Sequence, residues 1–316
     1  MKKIRSIAVI GSGTMGSSFA QLFGSKDIKV NLIDTNSEIL NKARLSIQAN
    51  LDYMVELDFF TKETCSLVNE NIFFFDQLED GLKDVDLVLE AVYENLELKQ
   101  DLFVEIEALV PSNLMIASNT SSFDINELNI KMSHKERFIG THFFFPPMLT
   151  PCVEVIPSDV TDEKIVVTMI EFLESIGKAP ARCKSGPGFV ANRIQYAMAG
   201  EALRILEEGI ATAEDIDKIV RTSFGFRLGA YGPMQVIDLA GVDIYDAIWN
   251  QFYEKFPTDV FKPPQIIGEM AKRGELGLKS GQGFYKYSPE EQVKVVRERD
   301  KRLIDRLKLF EKENKK

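Results

Sequence analysis

The chain has 316 residues, 45% of them hydrophobic and 27% charged, which is enough for a full core and, on the usual scale of domain sizes, for two domains. Its formal net charge of −10 excludes non-specific nucleic-acid binding, which rests on cationic neutralisation of phosphates. Three cysteines, Cys65, Cys152 and Cys183, show no CxxC spacing, so reduced thiols in a cytoplasmic protein are expected, with neither a disulfide framework nor a metal site.

The basic start Lys2, Lys3 and Arg5 leads into an apolar run too short for a signal peptide, because Gly11-Ser12-Gly13 ends it. No stretch approaches the roughly 18 apolar residues of a membrane span, so a soluble protein with no membrane partner is expected.

Residues 4–10 read as a buried strand and residues 17–24 as a helix, with Gly11-Ser12-Gly13-Thr14-Met15-Gly16 between them. A Gly-x-Gly-x-x-Gly string is informative in that context. The first glycine permits a tight turn, the second a close approach to a pyrophosphate, and the third close packing of helix on strand. The helix N-terminus then offers N–H groups and a positive dipole end to the phosphates. A second strand, residues 29–33, ends at Asp34, where an acid can accept both ribose hydroxyls of NAD and would repel the 2′-phosphate of NADP. Thr35 and Asn36 supply no replacing cation, so NAD is expected.

Residues 37–60 read as one long helical region, residues 72–75 and 86–92 as strands, and residues 114–118 as another. Glu94, Lys99 and the small polar cluster Asn119-Thr120-Ser121-Ser122 fall just past strand ends, where ligands gather in such sheets. Strands alternating with helices predict an α/β fold, a doubly wound, largely parallel sheet of Rossmann type.

Residues 140–154 hold the more distinctive chemistry. His142, one of only two histidines, sits at an apolar strand end, and Glu154 lies twelve residues on in a second short apolar run. A carboxylate on an adjacent strand could orient the imidazole. The alternative is a buried histidine satisfied by a backbone carbonyl, beside an unrelated acid.

Residues 178–183 read as a last strand, and Lys184-Ser185-Gly186-Pro187-Gly188 is turn chemistry. The boundary is placed there: residues 1–184 form the dinucleotide-binding domain and residues 185–316 an all-helical domain. Within the latter, residues 189–208 read as a long buried helix, with Asn192 near its start as a cap or a functional group. Further helices are expected after Thr212, over residues 233–256 and 264–272, and as a charged C-terminal helix over residues 288–314. That last one starts with Ser288 as N-cap, Pro289 at N1 and Glu291 at N3. Its narrow apolar stripe (Val293, Val296, Leu303, Leu307, Phe310) suits docking on this chain or a partner subunit. Lys315-Lys316 is expected to fray.

Taken together, these residues resemble the L-3-hydroxyacyl-CoA dehydrogenase family over nearly the whole chain. The resemblance rests on the glycine turn with Asp34, on Glu90-Ala91-Val92-Tyr93-Glu94-Asn95, on Ser118-Asn119-Thr120-Ser121-Ser122 and on Arg137-Phe138-Ile139-Gly140-Thr141-His142-Phe143-Phe144. It continues in Val153-Glu154-Val155-Ile156, Pro187-Gly188-Phe189-Val190-Ala191-Asn192-Arg193 and Lys279-Ser280-Gly281-Gln282-Gly283-Phe284-Tyr285. What it implies is hydride transfer between NAD and C3 of a short-chain 3-hydroxyacyl group. His142 would be the general base, Glu154 its orienting carboxylate, and Ser121 and Asn192 contacts to the reacting oxygen, in a cleft between the domains. Gly11, Gly13, Thr14, Met15, Gly16, Asp34, Ala91, Glu94, Lys99 and Lys279 would line the cofactor, and the helical domains would pair as a homodimer.

Two departures concern the substrate. Phe145 stands where the family usually has Asn, and Thr150-Pro151-Cys152 replaces the usual Met-Lys, closer to relatives acting on free hydroxy acids such as gulonate and carnitine. A dehydrogenase of a CoA-free 3-hydroxy acid is therefore the alternative. A non-catalytic dinucleotide-binding protein, crystallin-like, is the remote one.

Overall fold

A computed structural model describes residues 3–314; the expectation for Lys315 and Lys316 lies outside them. The chain divides into two compact units, residues 1–198 and 199–316.

The first unit is built on an eight-stranded sheet. Its strands are β1 (Ser6–Ile10), β2 (Lys29–Ile33), β3 (Ile72–Phe75), β4 (Leu87–Glu90), β5 (Met115–Ser118), β6 (Phe138–Phe143), β7 (Cys152–Pro157) and β8 (Ala179–Arg182). They lie in the order β3-β2-β1-β4-β5-β6-β7-β8. The chain winds outward from β1 in one direction, returns to β4, and winds outward in the other. The helices of this unit are α1 (Thr14–Gly24), α2 (Ser37–Glu56), α3 (Lys62–Asn71), α4 (Leu78–Gly81), α5 (Leu96–Leu109), α6 (Ile125–Leu128) and α7 (Glu163–Ser175), with α8 (Ala191–Glu207) beginning at its end.

Two apolar cores flank the sheet. One gathers Ile7, Val9 and Val30 with Phe19 and Phe23 of α1, Leu51 of α2, Val68 of α3 and Leu173 of α7. The other gathers Ala8, Val88 and Ile116 with Phe103 and Ile106 of α5, and Ile125 and Phe138. Neighbouring residues of one strand thus serve opposite cores, as the two-residue period of a strand requires. Each such side chain removed from water contributes roughly 1.5–3 kcal/mol.

Helix starts follow cap chemistry. Side-chain oxygens of Asn36, Thr61, Asn95 and Asp162 accept first-turn N–H groups of α2, α3, α5 and α7. One correction concerns α2: the helical region expected over residues 37–60 ends at Glu56, just before Asp58 turns with φ +55°, and a separate helix, α3, starts at Lys62 behind its Thr61 cap. A second difference concerns direction. β7 runs antiparallel to β6, whereas the other ladders are parallel, because the connection over residues 144–151 is too short for a crossover helix.

The second unit is helical: the end of α8, then α9 (Ala213–Thr222), α10 (Phe224–Leu228), α11 (Pro233–Ala240), α12 (Val242–Lys255), α13 (Gln265–Lys272) and α14 (Pro289–Asn314). Its small core holds Ile237, Val242, Ile267 and Met270. Asp238, buried beside them, accepts N–H groups of Phe284 and Tyr285 and the Tyr287 hydroxyl, which fixes the glycine-rich loop before α14. At the start of α14, Ser288 Oγ accepts from Glu291 N while Glu291 Oε2 accepts from Ser288 N, the reciprocal box expected there.

The long helix expected over residues 189–208 starts at Ala191, and no residue of it is buried. Ile194, Met198 and Leu206, the positions expected inside, are exposed. An apolar stripe at helical spacing reports a face suited to burial and does not say what covers it. Among the described residues, no helix is long and apolar enough to cross a membrane.

Candidate functional site

The carboxyl ends of β1, β4, β5 and β6 bring four loops together. After β1 the backbone turns at Gly11 with φ +97°, a conformation open to glycine, and a Cβ there would press on the Ala91 carbonyl. A Cβ on Gly16 would overlap the Gly11 carbonyl oxygen, so helix and turn are in closest backbone contact. The N-cap of α1 is Gly13, with no side-chain cap bond and with open space over its Cα. The first-turn N–H groups of α1 are therefore left for an external acceptor, the requirement of a pyrophosphate.

At the end of β2, Asp34 Oδ2 accepts from Ser12 N and Ser12 Oγ, both at 3.0 Å, and Oδ1 accepts from Asn36 N at 3.3 Å. These bonds hold the carboxylate beside the glycine turn, where a ribose would lie. Glycine turn, uncapped helix and anchored acid fit NAD.

Glu90 ends β4 with 0% exposure. Lys99 of α5, 1% exposed, places its Nζ 2.8 Å from Glu90 Oε1 and 2.7 Å from Glu94 Oε2. Glu90 also accepts from Ser118 Oγ at 2.6 Å and Val92 N at 2.7 Å. Burial pushes the Glu90 carboxyl up, against Lys99, Ser118 and Val92, which favour its ionised form. The donor set decides for the charged carboxylate, since an ammonium, an amide N–H and a hydroxyl all point at it. Glu94 gathers the next loop, accepting from Thr120 Oγ1 (2.5 Å), Ser121 N (3.0 Å) and Ser122 Oγ (2.9 Å). Burial works to raise its pKa too, yet Lys99 and these donors hold it below the usual carboxylate range.

His142 and Glu154 are directly opposed in the β6–β7 register, so their side chains share one face of the sheet. His142 Nδ1 lies 2.7 Å from Glu154 Oε2, with both side chains buried. The other oxygen, Oε1, accepts from Val190 N at 3.0 Å and Ala191 N at 2.9 Å, at the start of α8. Burial alone would raise the Glu154 pKa, but the bonds from His142, Ala191 and Val190 outweigh it and hold it low. An ionised carboxylate only accepts, so His142 donates through Nδ1 and its Nε2 carries the free lone pair. The rings of Phe144 and Phe189 lie 4.5 and 5.6 Å from the imidazole, centroid to centroid.

A cavity of about 300 Å³ joins these parts. Met15, Ala91, Glu94, Lys99, Asn119, Ser121, His142 and Phe145 are among the residues that line it. Asn192 is not; its Nδ2 donates to the Ser121 carbonyl at 3.2 Å and so braces that loop. Lys279 belongs to the second unit, where it pairs with Asp243 at 2.6 Å. Phe145, 62% exposed, borders a second cavity as well, of about 530 Å³, lined also by Gly13, Thr14, Lys42, Asn50, Tyr53 and Leu149. The loop carrying this border is pinned from below, because buried Lys178 donates to the carbonyls of Pro147 and Thr150.

Several members of this constellation carried no role in the sequence reading. Glu90 looked like one more residue of an apolar strand, and the acid at that strand's end was its signal. Asn119, whose Oδ1 accepts from Phe143 N at 3.0 Å and ties β5 to the His142 strand, was signalled only as one of a polar cluster past a strand end. Phe189, whose backbone turns with φ +49°, packs against the imidazole. Among the described residues no group of His, Cys, Asp and Glu could hold a metal ion.

Residues 6–186 match the family model described as 3-hydroxyacyl-CoA dehydrogenase, NAD binding domain, and residues 188–287 the one described as 3-hydroxyacyl-CoA dehydrogenase, C-terminal domain. The chain is 33% identical to the 3-hydroxybutyryl-CoA dehydrogenase of Clostridioides difficile, over 89% of this chain and 99% of that one. It is 32% identical to the 5-formyl-3-hydroxy-2-methylpyridine 4-carboxylate 5-dehydrogenase of Mesorhizobium japonicum, over 95% and 96%. Among solved structures, the 3-hydroxyacyl-CoA dehydrogenase of Archaeoglobus fulgidus superposes with a TM-score of 0.81 at 32% identity, covering 97% of this chain and 99% of that one.

Proposed function

This chain belongs to the 3-hydroxyacyl-CoA dehydrogenase family, NAD-dependent oxidoreductases acting on CH–OH groups, and we propose that its substrate is a short-chain 3-hydroxyacyl-CoA. The observation that carries the reading is the buried His142–Glu154 pair at 2.7 Å, whose His142 lines one cavity with Ser121 at the carboxyl ends of β4, β5 and β6. The short chain is supported by the likeness to a 3-hydroxybutyryl-CoA dehydrogenase.

In this mechanism NAD supplies the acceptor for the hydride that leaves C3. Gly11, Gly13, Thr14, Met15 and Gly16 would hold its phosphates and Asp34 its ribose, with Ala91, Glu94 and Lys99 along the nicotinamide end. His142 Nε2 takes the hydroxyl proton as the C3–H bond breaks, and Glu154 stabilises the imidazolium that forms. Ser121 binds the same oxygen, and Asn192 positions Ser121 through its carbonyl. In the reverse direction the imidazolium returns its proton to the ketone oxygen.

A second reading, a CoA-free hydroxy compound as substrate, has its own support. Phe145 and Pro151 depart from the acyl-CoA pattern, and among the described residues Lys42 is the one cation lining the second cavity, whereas the phosphates of CoA call for several. The Mesorhizobium relative is named for a pyridine carboxylate. We further propose a cytoplasmic homodimer, supported by three free cysteines and by exposed Leu203, Leu206, Ile210, Phe224 and Leu228. Light scattering of the purified chain tests the dimer.

The deciding experiment follows NADH oxidation with acetoacetyl-CoA and, in parallel, with free 3-oxo acids. Turnover of the thioester alone supports the first reading, and turnover of the acids alone replaces it with the second. No turnover of either at high enzyme, with NADH still bound, overturns the dehydrogenase reading.

A further inference from the structure

Three charges meet at the end of β4: Glu90 and Glu94, each −1, and Lys99, +1, which leaves a net charge of −1. The remaining groups around them, Ser118, Thr120, Ser121, Ser122 and Val92, offer neutral donors. Among the described residues, no second Lys or Arg lines the cavity that Glu94 and Lys99 share with His142. The other ionised group nearby, Glu154, is also an anion, set behind the imidazole. The cavity therefore carries a fixed negative charge, held in place by buried partners instead of by water.

The two forms of the cofactor differ in charge at one place: the oxidised nicotinamide ring is a cation and the reduced ring is neutral. We propose that the Glu90–Lys99–Glu94 triad biases this site toward the oxidised cofactor, with buried Glu90 a positioning residue that shares the one ammonium of Lys99 with Glu94, so that the pair of carboxylates keeps one charge in excess beside the cavity. The inference rests on the reading above, in which this cavity receives the nicotinamide end of NAD. Its cause is Coulombic. A unit charge in a partly desolvated cavity acts on a neighbouring cation far more strongly than in water and does not act on a neutral ring to first order. The carboxylates are fixed before the cofactor arrives, so no reorganisation offsets the gain.

The test is the ratio of dissociation constants, NAD+ over NADH, measured by titration calorimetry on the full chain. Glu94→Gln keeps the size of the side chain and removes the charge; the ratio is expected to rise about tenfold, with NADH binding within roughly threefold of the parent. Glu94→Asp keeps the charge and is expected to hold the ratio near the parent value. A purely structural role would weaken both forms by the same factor, and that result, or an unchanged ratio, overturns the proposal. Should Glu94→Gln fail to fold, the parent protein decides with an isosteric dinucleotide whose pyridine ring is uncharged. NAD+ is then expected to bind about tenfold more tightly than the neutral isostere. Equal affinities overturn the charge argument while NAD binding stands, whereas absence of all binding overturns the cavity assignment with it.

Discussion

Replacing Glu154 by Gln isolates what the carboxylate does for His142. The variant keeps the size of the side chain, and its amide oxygen can still accept from Val190 N and Ala191 N at the start of α8. The amide nitrogen then faces His142 Nδ1, where the carboxylate oxygen stood at 2.7 Å. Two donors cannot share that contact, so the imidazole must move its proton to Nε2 and accept through Nδ1. On the proposed mechanism, the atom that would take the substrate proton is then already protonated. The buried negative charge that favours the imidazolium is lost as well. In a serine-protease triad the comparable carboxylate-to-amide change costs about 10⁴ in kcat through the same tautomer error. We expect a fall of about 10³–10⁴ in kcat here, with KM changed less than about threefold because no substrate contact is removed. The stability cost should stay near 1–3 kcal/mol, since the two backbone bonds survive. Steady-state rates of NADH formation and a thermal melt of the same sample check both numbers. A variant that keeps kcat within a factor of about ten would refute the tautomer argument.

Three other outcomes follow from the coordinates. Gly16→Ala drives a methyl into the Gly11 backbone, which cannot yield as a side chain would; NADH binding measured by fluorescence should be lost, and the melt should drop by an amount corresponding to about 2 kcal/mol or more. The carboxyls of Glu94 and Glu154 are both held below their ordinary value of 4.5. Their stabilisation is present above that value and is lost as pH falls through the lowered folded values, with Glu90, whose carboxyl is raised, acting in the opposite sense. Urea midpoints should therefore hold from pH 7 to about 5 and fall at lower pH; a midpoint that rises on acidification contradicts the pairing. Burial, with Glu154 and Cys152 nearby, pushes the Cys183 thiol to about 11. Alkylation of the native protein near neutral pH should therefore leave Cys183 unmodified long after a free thiol has reacted, and mass spectrometry of peptides reads this directly.

Much of the first unit was legible because the signals were local. Glycines in a strand-to-helix turn, an acid at the end of the next strand, and short apolar runs separated by helical spacing each depend on residues within a few positions. His142 and Glu154 also stood out, as an ionisable ring and an acid in two consecutive apolar runs. What could not be read was how those runs pair. Direct opposition of residues 142 and 154 follows from the antiparallel register of β6 and β7, and a slip of one residue would have put them on opposite faces. The helix α3 carried no reading in the sequence, and the early end of α2 at Glu56 went unseen because apolar residues at helical spacing continue up to the break at Asp58.

The substrate question shows the same division. Phe145 was visible as a departure, but that it borders two cavities comes from the fold of the loop that Lys178 holds. The Glu90–Lys99–Glu94 triad was hidden for a different reason. Glu90 and Lys99 are nine residues apart across a turn, and nothing in the spacing says that both lose all contact with water. By itself the sequence determined the doubly wound class, the cofactor and the residues able to handle a proton, because each depends on chemistry close along the chain. The register of β6 and β7, the burial of Glu90 and Lys99 beside the site and the shape of the cavities were decided by tertiary structure alone, because each depends on packing between segments apart in the chain.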